Sequence, residues 1–429
     1  MKILSAKYLI PMVGDPIFDG AIAIEGDEII DVGSEEALLK RYPDAQHEDY
    51  SQHVILPGLI NSCTQLDLTL YRDFLGDPVR SASGAVNYID WLMGIFQYKR
   101  TADYAHLREA VERGVDECLQ AGTTCVADMG SYEGVVNVLE AKGLRGVVFP
   151  EVVSFDAKVA KDLFESALAI IEKYRDHDSD LVSVGAGPHS PFTLSRNVLR
   201  IMSQYCRSSG IPLMMHVAES FSEMEFFYDS TGDIATKLFP NIGWGDDLPP
   251  AHHITPIAHL AEIGFLAAAP HLVGCVQVTK TDLAAMVNTG AKAVLMPRAA
   301  QFLQQGVAPY AEMREKRLAV LLGTGGIPSV NNLSLWDEMR AFVDLYGHQM
   351  RLTGSEIFEM VTLKAAAALG LEDDIGSLAI GKKADLIVVD VTGVPDGDDD
   401  DFLLEMVKNT RDYNVRKVIV AGRVVKDVM

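Results

Sequence analysis

Apolar residues fall along this 429-residue chain in two rhythms. Near both ends they form short runs bounded by turn signals. Ala21-Ile22-Ala23-Ile24 and Glu28-Ile29-Ile30-Asp31-Val32 flank Gly26-Asp27, and Ala384 to Asp390, Val415 to Val420 and Val424-Val425 follow the same style. Runs of this kind predict strands, and Gly-Asp between two of them predicts a hairpin turn. Two strand-rich ends around a different middle predict one small β domain assembled from residues 1–55 plus 375–429.

The middle, residues 56–374, alternates apolar runs with longer amphipathic stretches such as Leu107–Gln120 and Ala160–Tyr174. Eight strand candidates are Val54–Asn61, Thr123–Asp128, Gly146–Val152, Val182–Pro188, Leu213–Glu219, His271–Val276, Ala293–Met296 and Leu318–Thr324. Strand and helix in alternation imply a parallel sheet, and eight repeats imply a closed barrel. The predicted fold is therefore α/β, a (β/α)8 TIM barrel with a β-sandwich built from both termini. In such a barrel, chemistry sits at the C-terminal ends of the strands. That directs attention to Cys63 and Gln65 after strand 1, His189 after strand 4, and His216 and Glu219 at strand 5. Gly274 on strand 6 and Gly325 after strand 8 hold the remaining places.

Composition narrows the classes. With 48% hydrophobic and 23% charged residues the chain has ample material for a large core. Thirty-seven Lys and Arg against 60 Asp and Glu give a net charge of −23, with no basic run. Nucleic acid and anionic membrane are accordingly not expected partners. The aspartate run Asp398-Asp399-Asp400-Asp401, after Pro395 and Gly397, reads as a solvated loop. Five cysteines, odd in number and without a CxxC pair, point to a reducing compartment. Met1 to Lys7 lacks the apolar core of a signal peptide, and the longest apolar stretch, Ile263–Val276, is too short to span a bilayer. The expected location is the cytoplasm.

Five segments carry a family likeness. They are Leu56-Pro57-Gly58-Leu59-Ile60-Asn61, Gly122-Thr123-Thr124, Gly187-Pro188-His189-Ser190-Pro191-Phe192-Thr193, His216-Val217-Ala218-Glu219, and Gly376 to Leu386. In this order and spacing they resemble the amidohydrolase superfamily, specifically its deaminases and triazine chlorohydrolases. The resemblance implies hydrolysis of a C–N or C–Cl bond on a nitrogen heterocycle, and a homodimer. It also implies a mononuclear Zn or Fe site, made by a His-x-His pair at strand 1, a His at strand 5 and an Asp at strand 8, with a further His at strand 6 assisting. Such a site keeps an open position where bound water becomes hydroxide near neutral pH. The Glu three residues after the strand 5 His shuttles the proton.

This chain departs from that pattern. The strand 1 pair reads Cys63-Thr64-Gln65, the strand 6 position is Gly274, and the strand 8 position is Gly325. The family's Pro-Arg-Ser-Asn type segment reads Pro297-Arg298-Ala299-Ala300. Only His216 remains of the ligand set, with Glu219 beside it. No cofactor is expected on this ground. Cys63, His189 and His216 are the set from which a thiolate–imidazole zinc site could be rebuilt. His271 is a poor substitute, because strand alternation points it away. His252 and His253 fall between strands.

Each candidate carries two readings. Cys63 is a thiolate nucleophile or a small buried filler. His216 and Glu219 are a metal-free acid/base pair, given a bend between them, or a retained structural pair. His189 orients a ligand or is a hydrogen-bonded loop histidine. Gln65 suits a heterocycle edge better than a metal. Trp91 lines the pocket mouth or belongs to the core, and Trp336 is structural. Two functions follow. One is a divergent hydrolase of deaminase type with the metal-hydroxide mechanism lost; the other is a non-catalytic pseudoenzyme binding a small heterocyclic ligand or a partner.

Overall fold

The computed structural model describes residues 1–76, 86–153, 160–175, 179–242, 248–395 and 399–428. Eight parallel strands form the barrel: β1 (Leu59–Thr64), β2 (Thr123–Gly130), β3 (Arg145–Val152), β4 (Val182–Val184), β5 (Met214–Val217), β6 (His271–Gly274), β7 (Lys292–Leu295) and β8 (Val320–Leu322). Strands β1–β4 pair in one run and β5–β8 in another. Single bridges join the two runs, Ala186 with Leu213 between β4 and β5, and Thr64 with Gly325 between β8 and β1.

Side chains alternate across these strands, as extended backbone requires. Ile60, Cys63, Cys125, Ala127, Met129, Val147, Phe149, Met214, Val273, Val294 and Leu321 fill the interior, closed at one end by Ala365, Ala366 and Ile375. Outward residues such as Val126, Val148, Leu272 and Leu322 pack under the helices. The interior is a packed core, so chemistry is confined to the rim.

The two chain ends meet in one seven-stranded sheet, in the spatial order Arg423–Asp427, Val415–Val420, Leu386–Asp390, Gln46–Pro57, Lys2–Leu9, Ile17–Glu25 and Glu28–Ser34. Leu386, Val388 and Ile55 share one apolar cluster with Leu4, Ile22 and Ile29, and the alternate residues Ile387 and Val389 pack on the barrel's helix layer. Arg145 at the start of β3 meets Asp385 at 2.8 Å, both buried, and Asp385 also accepts the Ala421 N–H at 2.7 Å. This pair ties the barrel to the sheet.

Three expectations change in detail. The run Val54–Asn61 divides at Gly58 between the terminal sheet and β1, because the Gly58 N–H donates to the Asp385 carbonyl (3.0 Å) where the chain crosses over. The run Val182–Pro188 divides into β4 and a short Gly187–Pro188 segment paired with β3. The aspartate run is no loop from Asp399 onward: Asp399–Asn409 is a helix, whose Phe402, Leu403, Met406 and Val407 are buried. Carboxylates suit a helix N-terminus, and Asp400 accepts from the Ser355 hydroxyl at 2.5 Å. Gly397 and Asp398 lie outside the described residues. Among the described residues, no helix is long and apolar enough to cross a membrane.

Candidate functional site

The rim cleft is lined by Gln65, Trp91, His189, His216, Glu219 and Gly325 of the sequence candidates, joined by Tyr88, Glu151, Met296, Gln305 and Ser329. It is narrow, with about 20 Å³ of open space between these side chains. Anything larger than a water molecule enters only as side chains give way.

His216 and Glu219 meet because β5 ends in a bend. Ala218 takes a left-handed conformation (φ +52°), which breaks the strand's alternation. Glu223, buried on the following helix, accepts the N–H groups of Ala218 (2.8 Å), Glu219 (2.8 Å) and Ser220 (3.3 Å) and so fixes the bend. His216 Nδ1 then lies 2.8 Å from Glu219 Oε1. The Tyr88 hydroxyl donates to Glu219 Oε2 at 2.9 Å. His216 Nε2 is buried and has no partner among the described residues.

Burial works against charge on His216, but the adjoining Glu219 more than compensates and holds its pKa above the ordinary value. Burial, together with the charges of His216 and Lys99, drives His189 well below it. Burial and the Glu219 charge push Glu223 up to about 8 and keep the Tyr88 hydroxyl protonated, a donor to Glu219. His189 Nδ1 sits 3.1 Å from the Ser190 hydroxyl and 3.2 Å from that of Thr193, and its ring centre is 5.8 Å from that of His216.

Cys63 is placed elsewhere. It is fully buried inside the barrel, does not line the cleft, and its thiol is raised by burial and by the charges of Glu219 and Asp128. A thiol held in that state is a poor nucleophile. Gln65 and Trp91 both reach the cleft; the Trp91 indole N–H donates to the Pro328 carbonyl (3.3 Å) and its ring stacks on Tyr88. His271 is turned to the barrel's far side, with its ring nitrogens near the carbonyls of Leu213 and Ala368. His252 packs on Phe227 and His259, and His253 is exposed. Arg298 is bound to Glu338 and Asn332, and the Trp336 indole N–H to the Ala121 carbonyl.

Sequence reasoning missed Tyr88, Glu151 and Glu223. Ser220-x-x-Glu223 at the head of an apolar helix is a capping pattern, so Glu223 was findable. Tyr88 lies 131 residues from Glu219 and leaves no local signal. Glu151 forms a buried ion pair with Lys99 at 2.5 Å. Behind them, Asp67 and Asp128 each keep one buried oxygen unpartnered. Burial and the neighbouring Asp67 raise Asp128 to about 7.

A model of the amidohydrolase family matches residues 54–425. The chain belongs to the amidohydrolase family. A short match to an imidazolonepropionase-like composite domain of bacteria covers residues 20–45. A 5-methylthioadenosine/S-adenosylhomocysteine deaminase of Syntrophobacter fumaroxidans is 29% identical over 422 residues, 95% of this chain and 88% of the relative. Among solved structures, a zinc-bound adenosine deaminase from Xanthomonas campestris superposes with a TM-score of 0.84 at 21% identity, over 99% of this chain and 92% of that one. A zinc complex of atrazine chlorohydrolase from Arthrobacter aurescens gives 0.81 at 20%, over 100% and 95%. These likenesses establish the fold, a (β/α)8 barrel with a terminal β domain.

Zinc is bound in those two structures. Among the described residues, no three His, Cys, Asp or Glu side chains converge to hold a metal ion. Gly274 and Gly325 supply no side-chain donor, and Cys63 is walled into the core. His216 Nε2 is buried and unpartnered among the described residues. A catalytic zinc site takes three such protein donors.

Proposed function

We propose that this chain is a deaminase-type amidohydrolase that takes a nitrogen heterocycle into the rim cleft and has lost the metal-hydroxide mechanism. The observation that carries the reading is the occupancy around Gly274. The space a side chain there would need is filled by Glu219, whose Cγ lies 2.3 Å from an ideal Cβ. Without a metal, water keeps a pKa of about 15.7 rather than roughly 7, so metal-hydroxide attack is not available. What remains is His216, oriented by Glu219, as an acid/base or hydrogen-bonding group, with the Gln65 amide beside an aromatic wall of Trp91 and Tyr88. Those groups suit a flat ligand with donors and acceptors on one edge.

The lack of three converging metal donors among the described residues favours a second reading, a non-catalytic binding protein. The same experiment separates the two. Protein expressed with zinc and iron and purified without chelators is assayed for bound metal, then for ammonia release from and thermal stabilisation by adenosine and 5'-deoxyadenosine. Far less than one metal per chain is expected, with stabilisation. Near-stoichiometric zinc or iron overturns the proposal, and ammonia release without metal selects the hydrolase over the binding protein.

All five cysteines are free and buried, which suits a reducing cytoplasm. The assembly is taken as a homodimer, to be checked by light scattering. Residues 1–55 plus 375–429 form the β domain and 56–374 the barrel, a division supported by the two-ended sheet.

A further inference from the structure

We infer that Gly274 and Tyr88 are positioning residues, which together build a Tyr88–Glu219–His216 chain that turns His216 Nε2 toward the cleft; this rests on the reading of the cleft as a heterocycle site. Gly274 is then more than a position lacking a ligand, because its missing side chain is the room Glu219 occupies. An ideal Cβ at 274 would stand 2.3 Å from Glu219 Cγ and 3.0 Å from its Oε1, and the backbone there has φ +98°. Contact at 2.3 Å forces something to shift, and the nearest atoms belong to Glu219, so a side chain at 274 displaces Glu219 from its place beside His216.

The carboxylate is held at both ends. Oε2 accepts from the Tyr88 hydroxyl at 2.9 Å, and Oε1 faces His216 Nδ1 at 2.8 Å. A carboxylate only accepts, so Nδ1 carries the proton in that bond. Nε2 is left as the ring atom without a partner, buried and at the cleft. A buried polar atom with no partner is costly, and a ligand that bonds to it recovers that cost. An imidazole fixed through one nitrogen so that the other meets the ligand is the arrangement that sets tautomer and direction in many catalytic sites. Here the orienting group is itself oriented by a tyrosine.

The test uses the full chain with 15N-labelled histidine, observed at one fixed pH, with His216→Gln assigning the His216 ring signals. Wild type is expected to show a proton on Nδ1 in a strong hydrogen bond. Tyr88→Phe and Gly274→Ala are expected to shift that signal or lose it. Gly290→Ala carries similar backbone strain at a remote helix end (φ +73°) and leaves the signal in place. Unchanged His216 signals in both Tyr88→Phe and Gly274→Ala overturn the inference; if Gly274→Ala does not fold, Tyr88→Phe decides alone. A second arm titrates adenosine by calorimetry, where both variants are expected to weaken binding about tenfold. If wild type does not bind adenosine, that counts against the proposed function only, and the ring signals still decide the chain.

Discussion

The two ends of the barrel handle buried charge in opposite ways. At the N-terminal end of β3, the Arg145–Asp385 pair is closed: guanidinium and carboxylate meet at two points, and the spare atoms reach the Asp180 carbonyl and the Ala421 N–H. At the C-terminal rim, His216 Nε2, Asp67 Oδ1 and Asp128 Oδ2 are buried without partners among the described residues. A closed charge pair below, and unspent carboxylate and imidazole atoms above beside the closed Lys99–Glu151 pair, fit a barrel that keeps stability below and function above. The lesson is that a substitution should be judged by the end it falls on, since the same chemical change has opposite consequences at the two.

The largest test of that contrast is Asp385→Asn. It strands the Arg145 charge in a buried site, and urea unfolding should show a loss of about 3–5 kcal/mol. An unaffected midpoint would mean that the closed pair is not what joins sheet and barrel. The opposite sign is expected at the rim. Asp128, raised to about 7 by burial and Asp67, binds its proton more tightly folded than unfolded. Its contribution to stability is therefore full below about pH 4 and lost as pH rises through about 7. Asp128→Asn should remove that loss and stabilise the protein at pH 8 by on the order of 2 kcal/mol, with little gain at pH 4. A variant less stable at pH 8 would show that the rim carboxyl is structurally needed.

The smallest expected effect is at Cys63, which belongs to neither end. Native protein treated with iodoacetamide should remain unlabelled at Cys63 by mass spectrometry, and become labelled once unfolded. Labelling of the folded chain would return the thiolate reading to consideration.

Much of this was legible in sequence, for a physical reason in each case. The eight barrel strands could be read because buried parallel strands are near-continuous apolar runs. Gln65, His189 and His216 could be placed at the rim because strand ends follow from strand positions. The bend at Ala218 could not be read, since a left-handed alanine carries no compositional mark. Nor could the Tyr88 contact, which is made in space and not along the chain. Gly274 was visible only as an absence, and its use as room for Glu219 needs the third dimension. The aspartate run misled because its helix is held by Phe402 and Met406 further along, not by the aspartates.

The seams of the barrel have a mechanical consequence. The two four-strand runs meet through one backbone bridge on each side, Thr64 with Gly325 and Ala186 with Leu213. The first seam is reinforced by Asn61 bonding to Thr324 and the second by the His216 N–H on the His189 carbonyl. Gln65 and Gly325 stand over one seam, His189 and His216 over the other. The barrel is thus two half-shells with the cleft spanning both joints, so a molecule seated there would touch both halves at once, like a rivet across two plates.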